Sequence, residues 1–387
     1  MGINLRMDVL GLREKVEQIF KLNFNKREEL GASVSVWIDG KEIISLAQGY
    51  CEKERIRLWD ETTLVPVWSA TKGLASACVL KILDQKCISL DTPVVEIWPE
   101  FGKSGKEKIN FKDVLTHGAG IPALEEKVSV FNYNEVIKAI EMQVPLWEIG
   151  SGHGYHPRTF GFLLDEFVRR LEGISLGRYF NETFAVPMGL EFWIGLPQEY
   201  HPRVAKLYPG KMSDPNGEEA FYKAFMDSES LTRKAFGSPA GLDGVSGMNS
   251  TGSWSAGWPA MGGIGTARAL AKFYSMLANG GEYNGKRFVS RRILSLMEES
   301  LVSGEDKVLC LGNAFSAGFM KARNDLNRRR IFGNSIHAFG HPGAGGSHAF
   351  ADPENSLSFA YTMNQMNYGV LPGPKVLDML DVIYGIE

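Results

Sequence analysis

Ser69-Ala70-Thr71-Lys72 opens the apolar run that continues through Leu74, Ala75, Cys78, Val79, Ile82 and Leu83, with Pro66 just ahead of it. Those positions recur at helical spacing, so the stretch predicts a helix beginning near Ser69. Residues three apart on a helix share a face, which brings the Ser69 hydroxyl and the Lys72 amine within contact range. A helix N-terminus also offers free N–H groups and the positive end of the macrodipole, and both favour developing negative charge. The combination suits a serine that attacks an acyl carbonyl with a neutral lysine, rather than a histidine, taking its proton. Read alone, the same residues also fit an N-capping serine followed by a surface lysine.

The whole chain sets wide bounds. Its 387 residues, 44% hydrophobic and 22% charged, suffice for one large domain or two intimate ones with a sizeable core. A net charge of −3 and no basic stripe argue against a nucleic-acid partner. No signal peptide is evident and no apolar run approaches the roughly 20 residues of a membrane span, so a cytoplasmic protein with no membrane partner is expected. Cys51, Cys78, Cys87 and Cys310 lack metal-type spacing and are expected as reduced, partly buried thiols. The histidines include the pairs His153/His156 and His337/His341 but no His-Glu-x-x-His, so neither a metal nor another cofactor is expected. Oligomeric state is not readable.

Working outward from Ser69, residues 32–49 read as a β-hairpin. Val34, Val36 and Ile38 alternate with Ser33, Ser35 and Trp37, and Asp39-Gly40 turns the chain into Ile44 and Leu46. Val9, Leu12, Val16, Ile19 and Phe20 form one stripe of an N-terminal amphipathic helix within residues 1–25. Helices are expected near 134–142, 160–171, 266–279 and 373–384. Strands are expected at 347–351 and 357–363 around the turn Asp352-Pro353-Glu354-Asn355. The expected fold is α/β: an antiparallel sheet with terminal helices, built from 1–85 and 262–387, plus a mostly helical inserted domain, 86–261. The active site is expected in the cleft between them.

Two further stretches bear on Ser69. Gly150-Ser151-Gly152-His153-Gly154-Tyr155-His156-Pro157 puts a phenol in a glycine-rich loop before a helix; it can shuttle a proton if a nearby ammonium lowers its pKa. Gly340-His341-Pro342-Gly343-Ala344-Gly345-Gly346-Ser347 leads into a strand, and glycines there permit close approach of a ligand or a second backbone.

In this order and at these separations the three elements resemble the serine β-lactamase and penicillin-binding-protein superfamily, in particular its class C branch. Its Ser-x-x-Lys motif matches Ser69 and Lys72, its Tyr-x-Asn motif matches at Tyr155 with Pro157 in place of Asn, and its Lys-Thr-Gly motif falls at His341-Pro342-Gly343. The departures look most like the family VIII carboxylesterases, which keep the β-lactamase-like fold and the Ser–Lys–Tyr machinery but cleave simple esters. The resemblance implies Ser69 as nucleophile, Lys72 and Tyr155 as its proton-handling partners, and an oxyanion hole from the Ser69 and Ala344 amides. His341 and Gly343 would line the substrate pocket, and the middle-region aromatics Trp254, Trp258, Phe236, Phe131 and Trp147 would wall it for short acyl chains or aryl esters. The implied partner is a small-molecule ester. A cephalosporin-type β-lactamase and an acyltransferase would use the same site, and a non-catalytic binding protein is a further alternative.

Overall fold

The computed structural model describes residues 9–211, 218–322 and 329–386. Thirteen strands occur among them: β1 Gly31–Ile38, β2 Lys41–Gly49, β3 Val65–Pro66, β4 Phe192–Ile194, β5 Gly263–Gly265, β6 Glu282–Tyr283, β7 Lys286–Arg287, β8 Val302–Glu305, β9 Gly312–Phe315, β10 Met320–Lys321, β11 Phe339–Pro342, β12 His348–Asp352 and β13 Leu357–Met363. Eight form one antiparallel sheet in the order β2-β1-β13-β12-β11-β10-β9-β8, so the N-terminal hairpin pairs with the last strand. A three-stranded sheet β3-β5-β4 and the hairpin β6-β7 complete the set.

Alternation decides what covers each face of the large sheet. Val34, Val36, Phe350, Phe359 and Tyr361 pack in one cluster with Val16, Phe20, Val376 and Leu380 of the terminal helices Val9–Lys26 and Pro374–Tyr384. Their intervening neighbours Ala349, Ala351 and Ala360 are small and lie with Leu270 and Ala271 of the helix Ala267–Ala278 in the other cluster. The small side chains let that helix come close enough for Ser358 Oγ to donate to Ala271 O at 2.7 Å. Each large side chain so buried is worth about 1.5–3 kcal/mol. The alternation in β1 therefore does not mark one wet face: Ser33, Ser35 and Trp37 are buried as well, because β1 is an inner strand with helices on both sides.

The periodic segments form the expected helices, Tyr133–Met142, Thr159–Glu172, Ala267–Ala278 and Pro374–Tyr384. In the N-terminal helix Val16 and Phe20 are buried while Val9 is 40% exposed, and residues 1–8 of that expected segment lie outside the described residues. Cys51 and Cys78 are buried and Cys310 is intermediate, but Cys87 is exposed, in the turn just past the helix Thr71–Gln85 rather than within a packed face. No helix among the described residues is long and apolar enough to cross a membrane.

The helix Thr71–Gln85 is buried on all sides, twelve of its fifteen residues included. Its Gly73 is required by contact: a Cβ there would stand 2.1 Å from Tyr274 Oη and 3.0 Å from Phe319 Cε1. Glycine costs about 1 kcal/mol inside a helix, less than such a clash.

Burial also reaches titratable groups. His156, His341 and His348 are at most 1% exposed, and burial pushes their imidazoles down to about 3, about 3 and about 4. The unfolded chain protonates these rings near pH 6.5 and the folded chain does not, so each ring's contribution to stability is whole above pH 6.5. It is lost as the pH falls toward 4, at about 1.4 kcal/mol per ring per pH unit once well below 6.5. The thermal midpoint is predicted to fall steadily between pH 7 and pH 5, before most carboxylates titrate; a flat midpoint across that window would contradict these buried neutral rings.

Candidate active site

Ser69 lies in a single 3-10 turn, Trp68–Ala70, and the α-helix proper begins at Thr71. The expected start at Ser69 is corrected by two residues because the turn is tied to β5. Val67 N donates to Gly263 O at 2.9 Å, and Thr71 Oγ1 donates to Trp68 O at 2.6 Å while accepting from Gly263 N at 2.9 Å. Trp68 has φ 51°, a left-handed value that a bulky residue adopts only when its surroundings enforce it. No side chain caps the turn or the helix, so Ser69 is not an N-cap, and Lys72 is not a surface lysine.

Lys72 is fully buried. Its Nζ lies 2.9 Å from Pro157 O, 2.9 Å from Ala260 O and 3.2 Å from Ser69 Oγ. No carboxylate among the described residues partners it, and burial holds the amine well below the ordinary lysine value. A neutral amine has two N–H donors and one lone pair. Once deprotonated, Lys72 can give both donors to the two carbonyls and turn its lone pair to the Ser69 O–H.

The glycine-rich loop delivers Tyr155, which lines the same cavity as Ser69. Burial pushes the phenol above its usual value, with nearby Ser69 opposing this. The expected lowering by an ammonium does not occur: burial dominates at the phenol, and Lys72, whose amine burial pushes down in turn, stands with its Nζ over the Tyr155 ring, 4.7 Å from the centroid. The phenol therefore keeps its proton. His117 (φ 61°) packs at 4.9 Å from the Tyr155 ring and accepts from the His156 amide through Nδ1 at 3.2 Å. Burial holds its imidazole well below the usual value.

The third stretch forms the end of β11 and the turn into β12. A Cβ on Gly343 would stand 2.1 Å from Val67 O, so this glycine serves to press the turn against the residues before Ser69. Gly343, Gly345 and Gly346 amides donate to Ser347, Gly369 and Gly343 carbonyls, while no main-chain acceptor among the described residues takes the Ala344 amide. His341 Nδ1 lies 2.7 Å from Pro342 O and must carry the proton there, which leaves Nε2 a bare acceptor with no partner among the described residues. Its ring is 5.8 Å from that of Tyr155, and burial holds it neutral.

Ser69, Tyr155, His341, Pro342 and Ala344 line one narrow cavity, with apolar walls from Phe236, Leu309, Met320, Val370 and Leu371. Of the expected aromatic wall only Phe236 is there. Trp258 lies in a separate cavity with Phe131, donating to Val130 O at 3.1 Å. Trp254 donates to Met248 O at 2.8 Å in a cluster with Leu64 and Leu196, and Trp147 packs on His156. Composition marked these tryptophans; their indole N–H groups found carbonyls elsewhere.

Asp306 carries no signal in the sequence, yet its side chain is buried behind Tyr155 and accepts from the Tyr155 amide at 2.9 and 3.1 Å. Partners 151 residues apart leave no local pattern to read.

The Beta-lactamase family model matches residues 13–375. The Esterase/beta-lactamase LipL of Mycobacterium tuberculosis is 29% identical over 362 residues, 91% of this chain and 81% of that protein. A family VIII carboxylesterase structure superposes with TM-score 0.86 at 31% identity, covering 97% of this chain and 98% of that one. A penicillin-binding-protein homologue from Caulobacter crescentus does so with TM-score 0.86 at 30% identity and the same coverage. With the fold shared from end to end, a serine and a tyrosine lining one cavity and a lysine buried beside the serine, the chain belongs to the beta-lactamase family and is a serine hydrolase of the β-lactamase and penicillin-binding-protein superfamily.

Proposed function

We propose that this protein is a carboxylesterase that cleaves short-chain or aryl esters through an acyl-enzyme on Ser69. The observation that carries the reading is the buried Lys72 amine, held well below its ordinary value by burial, 3.2 Å from Ser69 Oγ. In the first half-reaction the Ser69 proton moves to Lys72 Nζ as Oγ bonds the ester carbonyl carbon. The carbonyl oxygen becomes an oxyanion facing the Ser69 and Ala344 amides, a kind of donor worth on the order of 3 kcal/mol each. As the C–O bond to the alcohol breaks, the Tyr155 phenol gives its proton to the departing alkoxide and the Lys72 ammonium replaces it. Water then enters on the same atoms in reverse. Lys72 is the base and Tyr155 the acid because burial moves the amine down and the phenol up, and each is thereby in the right form near neutral pH.

The same burial supports the substrate class. His341, Lys72 and the cavity walls present no cation to an incoming carboxylate, and the His341 lone pair would repel one. A neutral ester meets no such penalty. The name of LipL joins esterase and β-lactamase, and this is what supports lactam opening as a second reading.

Turnover of a short p-nitrophenyl ester and of a chromogenic cephalosporin, measured side by side, tests the reading. Ester cleavage should dominate, vanish in Ser69→Ala, and fall about 10²–10⁴-fold in Lys72→Met and Tyr155→Phe. Dominant cephalosporin turnover, or near-normal ester kcat in Lys72→Met, would overturn it. His341→Lys should raise the cephalosporin-to-ester ratio of kcat/KM at least tenfold by supplying a cation for the lactam carboxylate; an unchanged ratio would remove His341 from specificity.

A further inference from the structure

We propose that Asp306 is the positioning residue for Tyr155: its buried carboxylate clamps the glycine-rich loop to the β8–β9 turn and so sets the aim of the phenol at Ser69. The inference rests on the reading of Tyr155 as proton donor.

The Asp306 side chain is fully buried and has no lysine or arginine within ion-pair distance among the described residues; His153 Nε2, 3.8 Å away, is bonded to Asn313 Oδ1 at 2.5 Å. Its oxygens are satisfied by neutral donors. Oδ1 accepts from the amides of Val308 and Leu309, each at 2.8 Å, and of Tyr155 at 2.9 Å. Oδ2 accepts from Asn313 Nδ2 at 3.0 Å and from the Tyr155 amide at 3.1 Å. A buried carboxylate without a cation costs several kcal/mol. Closing the 306–311 turn needs Oδ1 alone, a task for which a smaller or neutral side chain is enough. The further reach is toward Tyr155, whose amide has both oxygens as acceptors.

The rest of the contact is built to the same end. Lys307 N donates to His153 O at 3.0 Å, and a Cβ on Gly154 would stand 2.8 Å from the Trp147 ring and 3.2 Å from Lys307 Cβ. On the far side, Gly154 N donates to His117 O at 3.1 Å and His156 N to His117 Nδ1 at 3.2 Å. The three residues 154–156 are thus held by main-chain donors on two sides, and the Tyr155 link on one of them is Asp306. Leu309, on the same turn, walls the cavity, so one carboxylate registers a wall residue and the proton donor against each other. Displacements of about 1 Å at a proton-transfer group cost orders of magnitude in rate.

A double-mutant cycle on ester turnover tests this. Asp306→Asn should lower kcat at least tenfold with KM changed less than threefold, yet lower the residual kcat of Tyr155→Phe less than twofold, because the clamp then has no phenol to aim. Asn313→Ala, which leaves the Tyr155 amide bonded, should keep kcat within threefold. Should Asp306→Asn fail to fold, Asp306→Glu, which retains the charge and moves its oxygens, enters the same cycle with the same expectation. Equal losses in both backgrounds, or wild-type kcat in the single variant, would overturn the proposal. Wild-type turnover by Tyr155→Phe alone would overturn the role of Tyr155, and the proposal with it.

Discussion

An amine buried without a counter-charge is the constraint on which this site depends. Lys72 can be accommodated in the centre of the molecule only as a neutral group with its two N–H bonds satisfied, and Pro157 O and Ala260 O satisfy them. Those carbonyls come from the loop that carries Tyr155 and from the segment entering β5. Satisfying one lysine therefore brings two distant stretches of chain to the side of Ser69. The helix that holds Lys72 has to be buried on all sides for this to work, which is why it carries Thr71, Gly73, Ser76 and Ala77 where a surface helix would show charges.

Neutrality then extends outward. The imidazoles of His117, His156 and His341 are pushed down and the Tyr155 phenol is pushed up, all mainly by burial. In such surroundings the oxyanion and the transient ammonium of an acyl transfer would be the largest charges present, and each stabilises the other. A cavity of this kind has little to offer a carboxylate. It favours a neutral acyl compound, which agrees with ester hydrolysis as the proposed activity.

Much of this could be read from residue order. The hairpin β1–β2, the pair β12–β13 and the four long periodic helices follow from spacing, because their neighbours in space are also near in sequence or share one covered face. Ser69, Lys72 and Tyr155 were legible as motif positions. What spacing could not reveal lies in long-range contact. The short strands β8–β10 have too few residues to alternate, and Trp68 is driven into a left-handed turn by β5. Asp306 looks like a surface acid until Tyr155 is brought against it. The tryptophans were the opposite case: Trp254 and Trp258 looked like a substrate wall, and their hydrogen bonds to Met248 and Val130 place them elsewhere. The direction of the Tyr155 shift was also illegible, since it depends on how deeply the phenol and the amine are both buried.

The central claim is that Lys72 is a neutral base at the pH where the protein works. It is tested most directly by the pH dependence of Ser69 modification by a fluorophosphonate, followed by mass spectrometry from pH 5 to 10 in wild type and Lys72→Met. The account predicts a rate that has already reached its plateau near pH 8 and a plateau that disappears in the variant. A rate still climbing through pH 10, or labelling of Lys72→Met as fast as wild type, would contradict it.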